Sequence, residues 1–355
     1  MKKVFKYVLL ILFFSLTILF FNQSFVEART IRTIETIEEL KEAFEEKATI
    51  EGNTIKLIDN VTLNDRLLDI EISEITIDFN GKTIECTEEG AIYVCNKITF
   101  KDSSTTNRVN WGGIIFSSRY ESIQVKEGAE LIINNGKFVD DGTDTFGMLL
   151  VKGKLTIDDA IFSTTRTESG NAYNNYMIKL QENSEVVINN GDFSHCATII
   201  DVGANNPYKN NSKLTINGGN FKSIGEIPGT ISISSLYPYV DENNNKEIIT
   251  PTIVLDNCNI ENKYIAIQFH GGSTEEEYRN ADTKIITILG GTYKCSEKGI
   301  AVFDISTNLS PFTYFNPKDF VLQGGTFESL SVGARSFSTR RTKKTVNIQQ
   351  FVTVC

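Results

Sequence analysis

Apolar and polar residues alternate with a period of two through most of the chain, and one eight-residue phrase punctuates the alternation. Leu214 to Phe221 (LTINGGNF) shows its parts: an apolar-x-apolar strand, a polar residue, a tight glycine turn and a bulky apolar residue returning inward. The phrase recurs as Leu131 to Phe138 (LIINNGKF), Leu155 to Phe162 (LTIDDAIF) and Val186 to Phe193 (VVINNGDF). Later it returns as Ile253 to Ile260 (IVLDNCNI), Ile286 to Tyr293 (ITILGGTY) and Phe320 to Phe327 (FVLQGGTF). Successive phrases start 24 to 39 residues apart. Self-similarity at such a period signals a solenoid whose repeats bury their apolar faces on one another. The period-2 alternation makes the repeated unit a strand. Spacing this variable argues against a propeller or a leucine-rich horseshoe. A coil with connections of unequal length accommodates it, because loop growth costs little free energy. The pattern predicts an all-β parallel β-helix over residues 54–334.

A second strand precedes each glycine phrase. It is read at Ile123-Gln124-Val125, Leu149-Leu150-Val151, Ile178-Lys179-Leu180 and Ile200-Asp201-Val202, then at Ile231-Ser232-Ile233, Ile265-Ala266-Ile267 and Phe303-Asp304-Ile305. The flanking apolar residues face inward and the middle one outward, since a one-residue slip would bury Lys179 or Asp201. The predicted outward row is therefore Gln124, Leu150, Lys179, Asp201, Ser232, Ala266 and Asp304.

The ends of the chain read differently. Lys2, Lys3 and Lys6 precede an uncharged apolar run from Tyr7 to Phe21, and Val26-Glu27-Ala28 is a small-residue cleavage site, so residues 1–28 read as a secretory signal peptide. The run is short for a membrane span, which needs about 20 residues. Residues 29–53 form an N-terminal cap. Within it Thr36 and Glu39 make a capping box, and Ile37, Leu40 and Phe44 form the apolar stripe of a short amphipathic helix, 36–47. Such a helix covers the otherwise open first coil. The strands Thr54–Leu57, Ile75 to Ile84 (ITIDFNGKTI) and Lys97 to Asp102 (KITFKD) follow it.

This opening, continued by the glycine phrases to Phe327, resembles the pectin-lyase-like right-handed β-helix superfamily. The resemblance implies a right-handed coil. It also implies a range of roles, from pectate lyases, polygalacturonases and other polysaccharide-active enzymes to phage tailspikes and non-catalytic bacterial surface modules. The catalytic constellations of the enzymes find no match in the outward row. Glycosidases of the usual kind need two carboxyl groups about 5 to 9.5 Å apart, whereas Asp201 and Asp304 stand three coils apart, roughly 14 Å. Lyase chemistry of the pectate type implies acidic calcium ligands on neighbouring coils with an arginine base, and the row holds no arginine.

Charge and the remaining candidate residues narrow the field further. The 45 acids outnumber the 35 lysines and arginines for a net charge of −10, and nothing here resembles the clustered basic face of a nucleic-acid binder. The weak catalytic candidates are Lys179, Asp201 and His270, the last in a Gln268 to Gly272 stretch beyond its strand. A lone histidine can serve as general acid or base, but it lacks a recognisable partner here. His195 reads as a turn residue after Phe193. The excursion Leu236 to Thr250 carries Tyr237 and Tyr239 around Pro238, and these are candidates for stacking on sugar rings. Asp241 to Asn245 looks superficially like a calcium loop, yet Lys246 and Thr252 stand where its glycine and glutamate belong. No metal site is read. Asn134, Asn135, Asn189, Asn190, Asn217 and Asn257 recur after the strand, and stacked asparagines form ladders.

Export permits disulfides among the six cysteines, and Cys86–Cys95 is the favoured pair. Buried free thiols are the competing reading. Arg335, Arg340, Arg341, Lys343 and Lys344 make 335–355 a basic segment with a possible last strand, better suited to a charged solenoid edge than to a polymer-binding patch. Two functions survive. The first is a secreted or cell-surface, adhesin-like module that binds carbohydrate or host surfaces without catalysis. The second is a polysaccharide lyase or glycoside hydrolase on an extracellular polymer, with calcium as a cofactor only for the lyase.

Overall fold

The computed structural model describes residues 30–339 apart from 65, 88–89, 118–120, 143–146, 167–175, 204–210, 225–228, 234–238, 241–242, 248, 264, 271–284, 297–300, 307–319 and 330–336. The backbone alone is described at 30, 66, 239–240, 246, 265, 269–270, 301–306, 320, 329 and 337–339. The proposed signal peptide, Tyr237, Cys355 and most of the basic C-terminal segment lie outside the described residues.

The chain winds as a right-handed parallel β-helix of three long sheets, with 11, 11 and 10 strands. One turn shows the plan. Tyr176–Leu180 lies in the first sheet, Glu185–Ile188 in the second and Asp192–His195 in the third, and Thr198–Val202 then returns to the first. Each strand pairs in parallel with the strands one turn before and after it, so Val186, for example, stands between Leu155 and Leu214. The glycine phrase is thus the second-sheet strand, a three-residue corner and the start of the third-sheet strand. At the corner Gly291 has φ +100°, and a Cβ there would stand 2.2 Å from the Cys258 carbonyl oxygen. At Gly291 only glycine fits against the coil below, whereas Ala160 and Cys258 hold the same corner place in turns without a positive φ there.

The phrase's final residue builds an interior column. Phe138, Phe162, Phe193 and Phe221 stack at centroid separations of 4.6, 5.1 and 4.5 Å, their planes within 12° of parallel. Ile260 interrupts the column, and Tyr293 and Phe327 resume it at 5.1 Å. Burying each ring contributes roughly 1.5–3 kcal/mol. At the corner outside this column, the Asn217 amide donates to Asn189 Oδ1 (2.9 Å) and that of Asn189 to Asp158 Oδ1 (2.8 Å). Asn135 instead bonds the backbone of Asp102 in both directions, and Asn257 turns the chain with φ +46°. The asparagines therefore form a partial ladder.

The cap has the expected box. Thr36 Oγ1 accepts from the Glu39 amide at 3.2 Å, and Glu39 Oε2 accepts from the Thr36 amide at 3.1 Å. Helix α1, Ile37–Ala43, is shorter than the stripe suggests. Glu45 and Glu46 adopt φ of 56° and 60°, which reverses the chain into an antiparallel pair, Ala48–Glu51 with Thr54–Leu57. Leu40, Ala43 and Phe44 nevertheless join the solenoid core. Thr30–Ile34, unread in the sequence, is the first strand of the first sheet.

The Cys86–Cys95 bridge is not formed. Cys86 points into the core from Thr83–Thr87 of the third sheet, while the thiol of Cys95, just past the first-sheet strand Ala91–Val94, donates to Asp69 Oδ1 at 2.8 Å. The five described cysteines are free thiols. Burial raises the pKa of Cys86 to about 12, and burial together with Asp69 raises that of Cys95 to about 11.

Candidate functional site

The outward face of the first sheet carries the candidate residues. Its central column runs Asp69, Tyr93, Gln124, Leu150, Lys179, Asp201, Ser232, Gln268 and Asp304, one per turn. At one position it differs from the sequence reading: Gln268, not Ala266, stands beside Ser232. Both Ile265-Ala266-Ile267 and Ile267-Gln268-Phe269 fit the apolar-x-apolar pattern. Packing chooses the second, because Ala266 is fully buried in the core and Gln268 Oε1 accepts from the Gly229 amide at 3.0 Å. The column also starts two coils earlier than expected. Leu68-Asp69-Ile70 and Ile92-Tyr93-Val94 carry the same pattern, so that signal was present in the sequence.

Lys179 and Asp201 are direct neighbours, with Nζ 3.6 Å from Oδ2 and side chains only 15% and 17% exposed. Lys179 Nζ also lies 4.9 Å from the ring centroid of Tyr176. The ring can settle there because Gly147 is its strand partner, where a Cβ would approach the ring to 2.2 Å. The Tyr176 hydroxyl donates to Glu121 Oε1 at 2.5 Å, and burial together with that carboxylate pushes its pKa upward. An acid, a phenol, an ammonium and a second acid thus run in series across the face. Two further coils repeat the device. Lys126 Nζ is 2.5 Å from Asp69 Oδ1 and 5.1 Å from the Tyr93 ring. Burial opposes the charge on Asp69, but the Cys95 thiol and Lys126 outweigh it and hold its carboxyl below the usual range.

In chain order, the long connections 141–146 and 165–175 precede strands of the first sheet, and 203–212, 234–251 and 271–285 follow them. The corners between the second and third sheets mostly take three residues. Within 234–251, Tyr239–Val240 pairs antiparallel with Lys246–Glu247, so the polar excursion contains a small hairpin. The Tyr239 side chain and all of Tyr237 lie outside the described residues. His270 ends the strand Ile265–His270 opposite Ser306, and its side chain also lies outside them.

His195 is not a turn residue. It closes the third-sheet strand fully buried, accepting from the Ala197 amide at Nδ1 (3.1 Å). That leaves the proton on Nε2, 3.4 Å from Asp140 Oδ2. Thr164 Oγ1 and Arg166 Nε reach the same Asp140 oxygen at 3.3 and 3.4 Å. This buried group fastens the corners from which 141–146 and 165–175 depart. Alternation in the sequence could place Asp140 and His195 inward, but it could not bring them together.

Chemically, the face offers hydrogen-bond donors and acceptors, aromatic rings and ammonium groups already matched by carboxylates. Asp201 and Asp304 are three strands apart, about 14 Å, beyond the reach of paired-carboxylate hydrolysis. Among the described residues, no three His, Cys, Asp or Glu side chains are grouped to hold a metal ion, and no helix is long and apolar enough to cross a membrane. No protein-family model, curated protein or solved structure matches the chain.

Proposed function

We propose that the protein is a secreted or surface-associated β-helix module that binds glycans without turning them over, along the outer face of its first sheet. The observation that carries this reading is the first-sheet column, in which Tyr93, Gln124, Lys179 and Asp201 are the accessible polar members around the buried Leu150 and Lys179 is held by Asp201 rather than poised as a base. A strip repeating every ~4.8 Å suits a repeating polymer. Amide, hydroxyl and ring edges supply the orienting contacts that sugars require. The leader-like residues 1–28 and the resemblance to pectin-lyase-like surface modules support an extracellular setting.

The test is a glycan-array screen of the purified protein, followed on each bound polymer by assays for reducing ends and unsaturated products, with and without calcium. Binding without product is expected. Lys179→Ala should weaken it at least about tenfold, which is ~1.4 kcal/mol, and Lys222→Ala on the third sheet should leave it unchanged. Product release that depends on Lys179, Asp201 or His270 would replace this reading with the lyase or hydrolase. Absence of any glycan binding would refute both.

A further inference from the structure

The outer face of the second sheet, opposite in character to the first, carries two straight columns. At the strand starts, the register sets Glu74, Lys97, Glu130, Lys154, Glu185 and Lys213 side by side, one per turn and strictly alternating in sign. Two residues further along each strand stand Thr76, Thr99, Ile132, Thr156, Val187 and Thr215, all β-branched and half-buried, continued by Thr54 before them and Val254 after. The first five of these strands are reached through connections of only two to four residues. The longer corner 102–112 folds toward the third sheet, where Arg108 pairs with Asp159 and Asp192 and Lys137 Nζ reaches the Val109 carbonyl oxygen. The second face is therefore left flat along these turns.

Within the chain this charge column is only partly consumed. Glu74 and Lys97 meet at 2.8 Å, but among the described residues no ion pair joins Glu130, Lys154, Glu185 or Lys213 to a partner. Six alternating charges are complementary to their own reverse. A two-fold axis lying between two copies and parallel to the strands sets Glu74 against Lys213, Lys97 against Glu185 and Glu130 against Lys154. The same operation lays the β-branched ridge on itself, with Ile132 against Thr156 at the centre. Isologous contacts of this kind close at two copies.

We propose that this face is the site at which a second copy of the chain docks, antiparallel, through the second sheet. The eight turns that overlap span about 34 Å, and the strands about 13 Å. That is near 450 Å² per copy and below the standard interface. The dimer is accordingly a weak one, populated only at high protein concentration. Charge complementarity sets its register and makes it salt-sensitive. This inference is independent of glycan binding, which uses the other face.

Sedimentation equilibrium of the purified protein up to roughly 0.5 mM, at low and high salt, is the first test. The mean mass should climb toward a dimer at low salt and return to the monomer at high salt. A mass that stays monomeric throughout overturns the proposal. The second test mixes two charge-reversed forms, one carrying Lys97→Glu, Lys154→Glu and Lys213→Glu, the other Glu74→Lys, Glu130→Lys and Glu185→Lys. Each alone should be monomeric, and the mixture should form a heterodimer at least as tight as the wild type. If both fold and the mixture does not associate, the pairing is wrong. Should either fail to fold, Thr156→Lys alone decides, because its outward side chain leaves the core intact. At least tenfold weaker dimerisation supports the two-fold, and unchanged dimerisation refutes it.

Discussion

Replacing Phe193 by alanine tests whether the solenoid is held turn to turn through its interior columns. The ring is 1% exposed and lies between Phe162 at 5.1 Å and Phe221 at 4.5 Å, nearly parallel to both. Removing a buried phenylalanine costs about 3–5 kcal/mol when the cavity relaxes only partly. Two lost ring stacks, about 0.5–1.5 kcal/mol each, place this site toward the upper end. Against a typical domain stability of roughly 5–15 kcal/mol, the variant should fold only marginally. Phe193→Ile should cost less, about 1–2 kcal/mol, because the same column accepts Ile260 between Phe221 and Tyr293. Urea unfolding followed by circular dichroism gives the loss, and native-state hydrogen exchange locates it. Since each turn touches mainly its neighbours, protection should fall most at the amides of Val187 and Thr215 and least near Ile77. An alanine variant losing under about 1.5 kcal/mol, or a loss of protection spread evenly along the chain, would refute the reasoning.

Two further outcomes follow from the buried groups. Asp102 accepts from the amides of Gly81 (2.7 Å) and Gly112 (2.8 Å) and from the amide and hydroxyl of Ser104, and although burial opposes its charge these bonds hold its pKa below the usual value. A depressed folded pKa contributes stability above the unfolded value of about 3.9 that disappears as pH falls through the folded value. Asp102→Asn should therefore cost about 1–3 kcal/mol at neutral pH and flatten the acid limb of a stability–pH curve below about pH 4. An unaltered acid limb would show that other carboxylates set it. Alkylation of the native protein near pH 8 should be slow at Cys86 and Cys95, and intact mass should show no bond between them. Rapid labelling of Cys95 would contradict its carboxylate-bound thiol.

The coil itself was legible because the repeated phrase obeys local rules: period 2 for strands, glycine where the corner has no room for a Cβ, a capping box where a helix begins. The outward placement of Lys179 and Asp201 followed from the same alternation, as did their adjacency once turns were counted. Where alternation was degenerate the reading slipped. Ile265 to Phe269 fits two registers, and only the core's demand for Ala266 separates them. The helix end was misjudged because Glu45 and Glu46 take left-handed conformations, their amides closing on the Glu42 and Lys41 carbonyl oxygens, at a place where no glycine marks the stop.

What the sequence determined by itself, then, was the repeat and the sidedness of its strands, properties that each short segment carries in its own pattern. The tertiary structure decided which side chains from distant turns share an environment. Asp140 with His195, Glu121 with Tyr176 and Asp69 with Lys126 are 55, 55 and 57 residues apart. The two unlike outer faces were also its doing. Such neighbours are set by the length of every intervening turn and by the stacking of the core, which no local pattern encodes.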